Sequence, residues 1–475
     1  MDNQEYELGL IGLGTMGQNL LLNMADSNYA VAGYDKDQAK VDLLNEIARD
    51  SSVSGQYDAE SFVTVLKKPR VIILLVPAGP IVDAVIDEFL PLLDPGDILI
   101  DGGNSHFSDT DRRIRELSNH QIQFVGMGIS GGAEGARKGP SMMPGGPRET
   151  WERVRSVFEA TAAKVNGEPC VAYMGAGSSG HYVKMVHNGI EYGLMELIAE
   201  AYDFMKRVLQ MDNDEIGATF EAWNNDRLNS YLIEITAEIF HQKDEFGEGD
   251  LIDMIRDESR QKGTGKWTSQ DAMNLQVPVP GIDLAVAMRD LSGYKPEREQ
   301  ASQKLAGPTN NNNENQCTTE DLEKALYFAF VVTYAQGMAQ LRKASEVYGY
   351  ELDLASISRI WRGGCIIRAA MLEDIKKAFE SNPSLENLLL DEKLAKKVND
   401  LQDEIRKVAK ASIDFGVPIM AISNAISYFD AYRSERLPAN LIQAQRDYFG
   451  SHTYERIDRK GKFHTNWGDD KTVQI

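Results

Sequence analysis

A polar stripe along one predicted helix holds the residue types that proton transfer requires. Residues 180–193 have helical spacing, and positions i, i+3, i+4, i+7 and i+8 of a helix share one face, which usually carries apolar side chains. Here that face carries Lys184, His187, Asn188, Glu191 and Tyr192. An amine, a carboxyl group and three hydrogen-bonding groups at contact spacing suit acid–base chemistry on a bound polyol. The alternative is a solvated helix face, and the residues that precede the helix favour the chemical interpretation.

A glycine motif near the N-terminus predicts a dinucleotide site. The apolar segment Glu7–Ile11 reads as a strand, runs directly into Gly12–Gly17 with the pattern GxGxxG, and is followed by helical spacing over Gln18–Asp26. This order brings backbone N–H groups and a helix N-terminus against a pyrophosphate. A second strand, Ala30–Tyr34, ends in Asp35, 18 residues beyond the last glycine. An acidic residue at this distance completes the dinucleotide pattern.

Further strands extend this fold. Apolar runs at Val71–Val76, Ile98–Asp101 and Gln123–Gly126 are separated by segments of helix length, which predicts a mostly parallel, doubly wound Rossmann sheet. Two glycine-rich turns, Asp101–Ser105 and Gly128–Gly132, follow these strands. Turns at the carboxyl ends of strands are where ligands bind in open α/β sheets, although simple tight turns would have the same composition.

Size and charge narrow the class of protein. The 475 residues predict two or three domains, and the net charge of -22 argues against nucleic acid or an anionic membrane as a partner. An anionic substrate would therefore need a local cluster of cations. The three cysteines, Cys170, Cys317 and Cys365, are far apart, which is typical of a reducing compartment. The N-terminus has no leader pattern and no stretch approaches ~18 apolar residues, so we expect a cytoplasmic protein.

The middle of the chain is predicted to be helical. From Gly180 to about Arg436 apolar residues recur with a period of 3.6 and strand patterns are rare. A weak internal repeat pairs Trp223, Leu232–Glu234 and Phe240 with Trp361, Met371–Glu373 and Phe379. This repeat predicts a duplicated helical unit, and the polar segment Gly307–Gln316 between its halves is predicted to be a loop.

The last forty residues have a different pattern. A short helical run follows Leu437, and the isolated aromatics Phe463 and Trp467 have no amphipathic element of their own, so we expect this tail to dock on another surface. The predicted domains are thus a Rossmann domain over 1–178, an all-helical substrate and dimerisation domain over 179–436, and a tail over 437–475.

Seven blocks spread over the whole chain resemble the decarboxylating 6-phosphogluconate dehydrogenases. The blocks are Gly12–Gly17, Asp101–Ser105, Ser130–Ala136, Val183–Tyr192, Gln261–Trp267, Trp361–Arg368 and Leu437–Gly450. Related β-hydroxyacid dehydrogenases share the earlier blocks but lack the last three. The resemblance therefore specifies one family.

This resemblance implies an activity and the residues that perform it. The family oxidises 6-phosphogluconate and decarboxylates it to ribulose 5-phosphate in the pentose phosphate pathway, with Lys184 as the base and Glu191 as the acid. The implied substrate-binding residues are Asn104, Ser130, Gly131, Gly132, His187, Asn188, Tyr192, Lys262, Thr264, Arg289, Arg446 and His452. Arg446 and His452 are expected to come from the tail of the second subunit of a homodimer. Since the keto acid formed by oxidation accepts the electrons of the departing carboxylate, we expect no metal, and we find no metal-ligand pattern.

The nucleotide site is implied by the same resemblance. Its residues are Gly12, Leu13, Gly14, Thr15, Met16, Gly17, Asp35, Lys36, Asp37, Val76, Pro77, Ala78 and Asn104. Members that use NADP typically carry Asn-Arg-Thr where this chain has Asp35–Asp37. A carboxylate there binds the ribose 2′-hydroxyl and repels a phosphate, so Asp35 favours NAD, whereas Lys36 argues for NADP. Gly14, often alanine in the family, and Pro77, often lysine, are smaller departures.

Other interpretations of the sequence predict different residues. A β-hydroxyacid dehydrogenase whose substrate lacks phosphate would not need the phosphate-binding cations. A sugar-nucleotide dehydrogenase would need a reactive cysteine, whereas Cys365 resembles a packing residue. A dinucleotide-binding protein without turnover would not need the Lys184 and Glu191 pair.

Overall fold

A seven-stranded sheet forms the first part of the chain. A computed structural model describes residues 5–48, 52–308, 317–468 and 471–475. The strands are β1 (Leu8–Ile11), β2 (Val31–Tyr34), β3 (Val53–Gln56), β4 (Val71–Leu74), β5 (Ile98–Asp101), β6 (Gln123–Ser130) and β7 (Ser141–Pro144). Their order across the sheet is β3-β2-β1-β4-β5-β6-β7, with β7 antiparallel and the others parallel. The order of the strands reverses between β1 and β4, and ligands bind beside such a reversal in open α/β sheets.

Helices cover both faces of this sheet. They are α1 (Thr15–Asp26), α2 (Gln38–Ile47), α3 (Ala59–Thr64), α4 (Pro80–Phe89), α5 (Phe107–Ser118), α6 (Gly132–Lys138) and α7 (Arg148–Thr161). Because both faces are covered, every residue of β1, β2 and β5 is buried. A hairpin of two very short strands, β8 (Lys164–Val165) and β9 (Glu168–Pro169), ends the region.

The predicted Rossmann sheet is confirmed, with three differences. The sequence did not predict β3 or β7, whose Ser, Gly, Gln or Pro residues interrupt the apolar run by which the other strands were recognised. Strand β6 continues to Ser130, so Gly128 belongs to a strand and the predicted turn at Gly128–Gly132 is wrong over its first three residues. The turn itself is Gly131–Gly132, where both residues have positive φ.

Every element described between residues 179 and 425 is a helix, as predicted. The α-helices that begin there are α8 (Ser179–Arg207), α9 (Asn213–Asn224), α10 (Tyr231–His241), α11 (Leu251–Met254), α12 (Thr264–Asn274), α13 (Pro280–Ser292), α14 (Lys295–Lys304), α15 (Thr319–Tyr348), α16 (Leu354–Ile360), α17 (Met371–Ser381), α18 (Glu392–Asn399), α19 (Gln402–Phe415) and α20 (Met420–Tyr432). Residues 309–316 of the predicted polar loop lie outside the described residues. No described helix is both long and apolar enough to cross a membrane.

The element order repeats within the helical region. The 29-residue α8 and the 30-residue α15 pack on each other, and each is followed by two shorter helices that pack as a pair. The segments preceding α10 and α17 also pair with each other, since Ser230 forms an antiparallel bridge with Ala369. These features support the predicted duplication, which stays a prediction.

The end of the chain forms a unit of its own. Contacts divide the chain into residues 1–425 and residues 426–475. The second unit contains α21 (Ala439–Gly450) and an antiparallel sheet of β10 (Tyr454–Glu455), β11 (Lys462–Asn466) and β12 (Lys471–Gln474). The domain boundaries at 178 and 436 stay predictions.

Asp447 organises this second unit. Its buried carboxylate accepts hydrogen bonds from the backbone N–H groups of Thr453 (3.0 Å) and Thr465 (3.1 Å) and from Trp467 Nε1 (3.1 Å), and it pairs with His464 Nδ1 at 2.9 Å. Burial alone would raise the pKa of this carboxyl group, but the hydrogen bonds outweigh burial and lower the pKa to about 2.

The expectation that the tail aromatics lack partners within their own segment is wrong. Phe463 is buried against Tyr454, and Trp467 is held by Asp447. The short strands that bury Phe463 were not predicted.

Candidate active site

The glycine motif has the geometry of a pyrophosphate site. Gly12 has φ +103°, and a Cβ there would lie 2.4 Å from the carbonyl oxygen of Leu75, at the start of the Val76–Ala78 segment. A Cβ on Gly17 would lie 1.9 Å from the carbonyl oxygen of Gly12, so α1 packs closely on the turn. A Cβ on Gly14 would point into open space, with no other part of the structure within 4 Å of it. The middle glycine thus leaves backbone open to a ligand at the N-terminus of α1, where a pyrophosphate fits.

Asp35 is fixed beside this motif. Its Oδ2 accepts a hydrogen bond from the backbone N–H of Leu13 (2.8 Å), its Oδ1 accepts one from the N–H of Asp37 (2.9 Å), and Lys40 Nζ lies 3.3 Å from Oδ2. Lys36 instead forms an ion pair with Glu88. In dinucleotide-binding folds, an acidic residue held beside the glycine turn in this way is the group that recognises a ribose hydroxyl.

The loop after β5 is organised by a buried carboxylate that the sequence analysis did not single out. Asp101 accepts hydrogen bonds from the Gly103 N–H (3.0 Å) and from Ser105 Oγ (2.6 Å), and it pairs with the buried Arg113 at 3.4 Å. These contacts leave Asn104 exposed at the tip of the loop. An aspartate at the end of a wholly apolar strand was the signal for this role.

Lys184 is brought against the sheet by backbone contact. A Cβ on Gly128 of β6 would lie 2.3 Å from the Cβ of Lys184, so only glycine allows α8 to approach this closely. The lysine side chain is 6% exposed, and its Nζ lies 3.4 Å from His187 Nδ1. Burial lowers the pKa of Lys184, which favours the neutral amine that a base requires.

His187 lies at the centre of the predicted polar stripe. Its Nε2 is 3.3 Å from Ser130 Oγ, and its Nδ1 is 3.0 Å from Asn188 Oδ1 and 3.8 Å from Glu191 Oε2. Burial holds the pKa of the imidazole well below its usual value and raises the pKa of Glu191. Lys184 and Glu191 thus share one neighbour, and burial displaces both toward their neutral forms.

A cation from α13 lies over Tyr192, the last residue of the stripe. The Arg289 guanidinium stacks on the Tyr192 ring, with Cζ 3.5 Å from its centroid, and Arg289 attracts Glu191 electrostatically. A Cβ on Gly265 would lie 2.4 Å from the same ring, so the start of α12 packs closely here and brings the buried Thr264 near α8. Lys262, just before α12, is exposed.

The loop between α16 and α17 packs against His187, a contact that was not predicted from the sequence. Trp361 is fully buried, and its ring meets that of His187 edge to face at 5.5 Å. Cys365 is also buried, and burial raises the pKa of its thiol to about 12. A thiol of this kind is a packing group and does not suit the nucleophile of a sugar-nucleotide dehydrogenase.

The remaining predicted residues lie in two different parts of the chain. Gly131 and Gly132 lie at the start of α6, and a Cβ on Gly131 would lie 2.6 Å from the carbonyl oxygen of Gly364. Arg446 and His452 are exposed in the unit of residues 426–475, where Arg446 donates to Gln443 Oε1. Their part in the site stays a prediction. In the described part of the chain, no three His, Cys, Asp or Glu residues are grouped as metal ligands.

Comparison with known proteins identifies related chains. Residues 7–175 match the family described as the NAD binding domain of 6-phosphogluconate dehydrogenase, and residues 180–467 match its C-terminal domain. The decarboxylating 6-phosphogluconate dehydrogenase of Lactococcus lactis subsp. lactis is 52% identical over 466 residues, which cover 98% of this chain and 99% of that one. The NADP(+)-dependent enzyme of Bacillus subtilis is 49% identical over 468 residues, with 98% and 99% coverage.

A solved structure is similar over nearly the whole chain. Plasmodium falciparum 6-phosphogluconate dehydrogenase, studied in its apo form and in complexes with NADP+ and with 6-phosphogluconate, has a TM-score of 0.92 at 42% identity. The match covers 97% of this chain and 100% of that one.

Proposed function

Since the chain belongs to the 6-phosphogluconate dehydrogenase family, we propose that it oxidises and decarboxylates 6-phosphogluconate to ribulose 5-phosphate and CO₂. A bound nicotinamide dinucleotide supplies the hydride acceptor. The observation that carries the proposal is the pair of Lys184 and Glu191 on one helix face, with burial lowering the pKa of the amine and raising that of the carboxyl group. A neutral amine can accept a proton and a neutral carboxyl group can donate one, and the proposed reaction requires both steps.

Lys184 acts first in the proposed reaction. The neutral amine takes the proton of the C3 hydroxyl as the hydride leaves C3, which produces a β-keto acid. The resulting ammonium group returns the proton to the new carbonyl oxygen as the C1–C2 bond breaks and CO₂ departs. Because the ketone accepts that electron pair, the scheme includes no metal, and EDTA should leave the rate unchanged.

Glu191 completes the reaction. Its carboxyl proton moves to the carbon that lost CO₂, while the enol oxygen gives its proton to Lys184 and becomes the carbonyl of ribulose 5-phosphate. The proton then returns from Lys184 to Glu191. His187, in contact with Lys184 and Ser130, holds the hydroxyl groups in place, together with Asn188.

The two ends of the substrate need different partners. We assign its carboxylate and hydroxyls to Asn104, Ser130, Gly131 and Gly132. We assign its phosphate to Tyr192, Lys262, Thr264, Arg289 and Arg446, because a chain with a net charge of -22 needs a local cationic cluster. Arg446→Ala should weaken apparent substrate affinity by about 10–150-fold, since a hydrogen bond to a charged group contributes about 1.5–3 kcal/mol.

The cofactor assignment rests on Asp35. Its fixed carboxylate faces the ribose position and repels a 2′-phosphate, which supports NAD as the preferred cofactor. Asn104 and the segment Val76–Ala78 complete the nucleotide site in this proposal.

We also assign the active unit to a homodimer. Apolar side chains are exposed along α11 to α14 and the following segment, which supports a covering partner. They are Met254, Ile255, Met273, Leu291, Tyr294 and Leu305. Arg446 and His452 would then enter the neighbouring subunit's site.

A hybrid experiment tests the shared site. Lys184→Met and Arg446→Ala subunits, each inactive or weak alone, should regain activity when mixed, because a hybrid dimer contains one site with neither substitution. Hybrids that form without regaining activity would place Arg446 in its own subunit's site.

The activity itself is tested with 6-phosphogluconate and either NAD or NADP, following the reduced nicotinamide and CO₂ together. Equal amounts of both products are expected, with the higher kcat/KM for NAD. Reduced cofactor without CO₂ would indicate a simple β-hydroxyacid dehydrogenase, and no reaction would contradict the substrate assignment.

A further inference from the structure

Two lysines stand beside the ribose position, and each is engaged by a carboxylate. Lys36 Nζ lies 2.7 Å from Glu88 Oε2, and Lys40 Nζ lies 3.3 Å from Asp35 Oδ2. Lys36 immediately follows Asp35, whereas Glu88 lies 52 residues further along the chain, near the end of α4. Lys36 therefore extends toward α4 although its backbone adjoins the residue that marks the ribose.

Glu88 is itself held in place. Its Oε1 accepts a hydrogen bond from the hydroxyl group of Tyr34 at 3.4 Å, and the Tyr34 ring packs against Phe62 and Phe89 in the core. The hydrogen bond with Glu88 raises the pKa of Lys36. One carboxylate oxygen is thus anchored to the sheet while the other engages Lys36.

This arrangement matters for cofactor choice because a lysine is a point charge that binds phosphate wherever its ammonium group can reach. A pocket with two free lysines would attract the 2′-phosphate of NADP. With both lysines paired, the pocket presents no uncompensated cation from these residues, and Asp35 repels the phosphate.

We propose that Glu88 is a specificity-determining residue that acts through Lys36, holding its ammonium group away from the ribose 2′ position so that the pocket disfavours NADP. The inference rests on the proposed dinucleotide-dependent function. In this scheme Asp35 reads the 2′-hydroxyl directly, whereas Glu88 is a positioning residue that withholds a phosphate ligand.

The test is a fluorescence titration of the full-length protein with NADH and with NADPH, which requires no turnover. Glu88→Gln should raise NADPH affinity by about 1.5–5-fold, the range that release of one exposed ion pair allows, and leave NADH affinity unchanged. The gain should fall in about 0.5 M salt, because exposed charges are then screened. Asp35→Asn should give a larger gain, and Glu88→Gln should add to it.

Two controls separate this role from a structural one. In the double variant Lys36→Met, Glu88→Gln the gain should disappear, because the ammonium group that binds the phosphate is missing. Glu159→Gln removes a similar exposed pair on α7, with Arg155 at 2.7 Å, and should leave both affinities unchanged.

The outcomes are distinguishable. An unchanged ratio of NADPH to NADH affinity in Glu88→Gln, or a gain that survives Lys36→Met, would overturn the role of Glu88 alone. Binding of neither nucleotide would overturn the proposed function and this inference with it.

Discussion

The carboxyl group of Asp447 is buried and that of Glu191 is largely buried, yet their pKa values move in opposite directions. Asp447 meets two backbone N–H groups, an indole N–H and an imidazole, and its pKa falls to about 2. Glu191 has no hydrogen bond among the described residues, the His187 imidazole lies 3.8 Å from its carboxyl group, and burial raises its pKa. The supply of donors distinguishes a carboxylate that organises structure from a carboxyl group ready to give a proton.

Glu200 is an intermediate case. Located on α8 like Glu191, it accepts hydrogen bonds from the backbone N–H groups of Ala421 (2.7 Å) and Ile422 (2.9 Å) at the start of α20. Burial outweighs these two donors and raises its pKa to about 8. Two donors do not keep this buried carboxylate ionised at neutral pH, whereas the four groups around Asp447 do.

The largest expected effect is a loss of turnover when Lys184, on the same helix face as Glu191, is replaced. Lys184→Met should lower turnover by about 10²–10⁴-fold, because it removes the base, while the free energy of unfolding stays the same or rises, because a buried amine is removed. Single-turnover formation of reduced nicotinamide and urea denaturation measure the two quantities. Lys206→Met, at a half-buried position near the end of the same helix, is the control and should keep normal turnover. Near-normal turnover in Lys184→Met would exclude Lys184 from the mechanism.

Replacing Asp447, which accepts several hydrogen bonds, should lower the stability of residues 426–475. Asp447→Asn turns an amide NH₂ toward N–H donors and should lower the opening free energy of residues 426–475 by about 2–3 kcal/mol, because hydrogen bonds to a charged group are lost. Hydrogen exchange at the Thr465 N–H measures this change. Asp458→Asn, which removes an exposed partner of Arg456, should change it by less than about 1 kcal/mol. Equal effects of the two substitutions would contradict the organising role of Asp447.

The smallest effect is a pH dependence from Glu200. Its folded pKa of about 8 lies above the unfolded value of about 4.3, so between pH 6 and 7 the unfolded chain has lost this proton while the folded chain keeps it. Stability should therefore fall with rising pH, by at most about 1.4 kcal/mol per unit. Urea denaturation of the wild type and of Glu200→Gln at both pH values measures this term, and an equal pH response of the two proteins would refute it.

The sequence predicted what periodicity and local motifs encode. The parallel strands, the glycine turn and the stripe from Lys184 to Tyr192 follow from spacing within a few residues, and the structure places the stripe together as expected. The resemblance supplied roles that spacing alone does not contain, such as that of Arg446.

Contacts between distant residues were not predictable in this way. Arg113 reaches Asp101 from the next helix, Glu88 meets Lys36 across 52 residues, and Asp447 collects donors from a sheet whose strands have two to five residues. Such pairings depend on the tertiary fold, and very short strands have too little alternation to be recognised.

The contact of Gly128 with Lys184 is one of two places where α8 approaches β6 closely. Gly180 of the same helix is equally close to the sheet, since a Cβ there would lie 2.3 Å from the carbonyl oxygen of Gly126. Helix α8 and strand β6 therefore approach closely at these glycines, and the side chains of Lys184 and His181 lie directly against the strand. Because a side chain at Gly128 or Gly180 would push the helix and the strand apart, these two glycines set how closely the Lys184 backbone approaches β6.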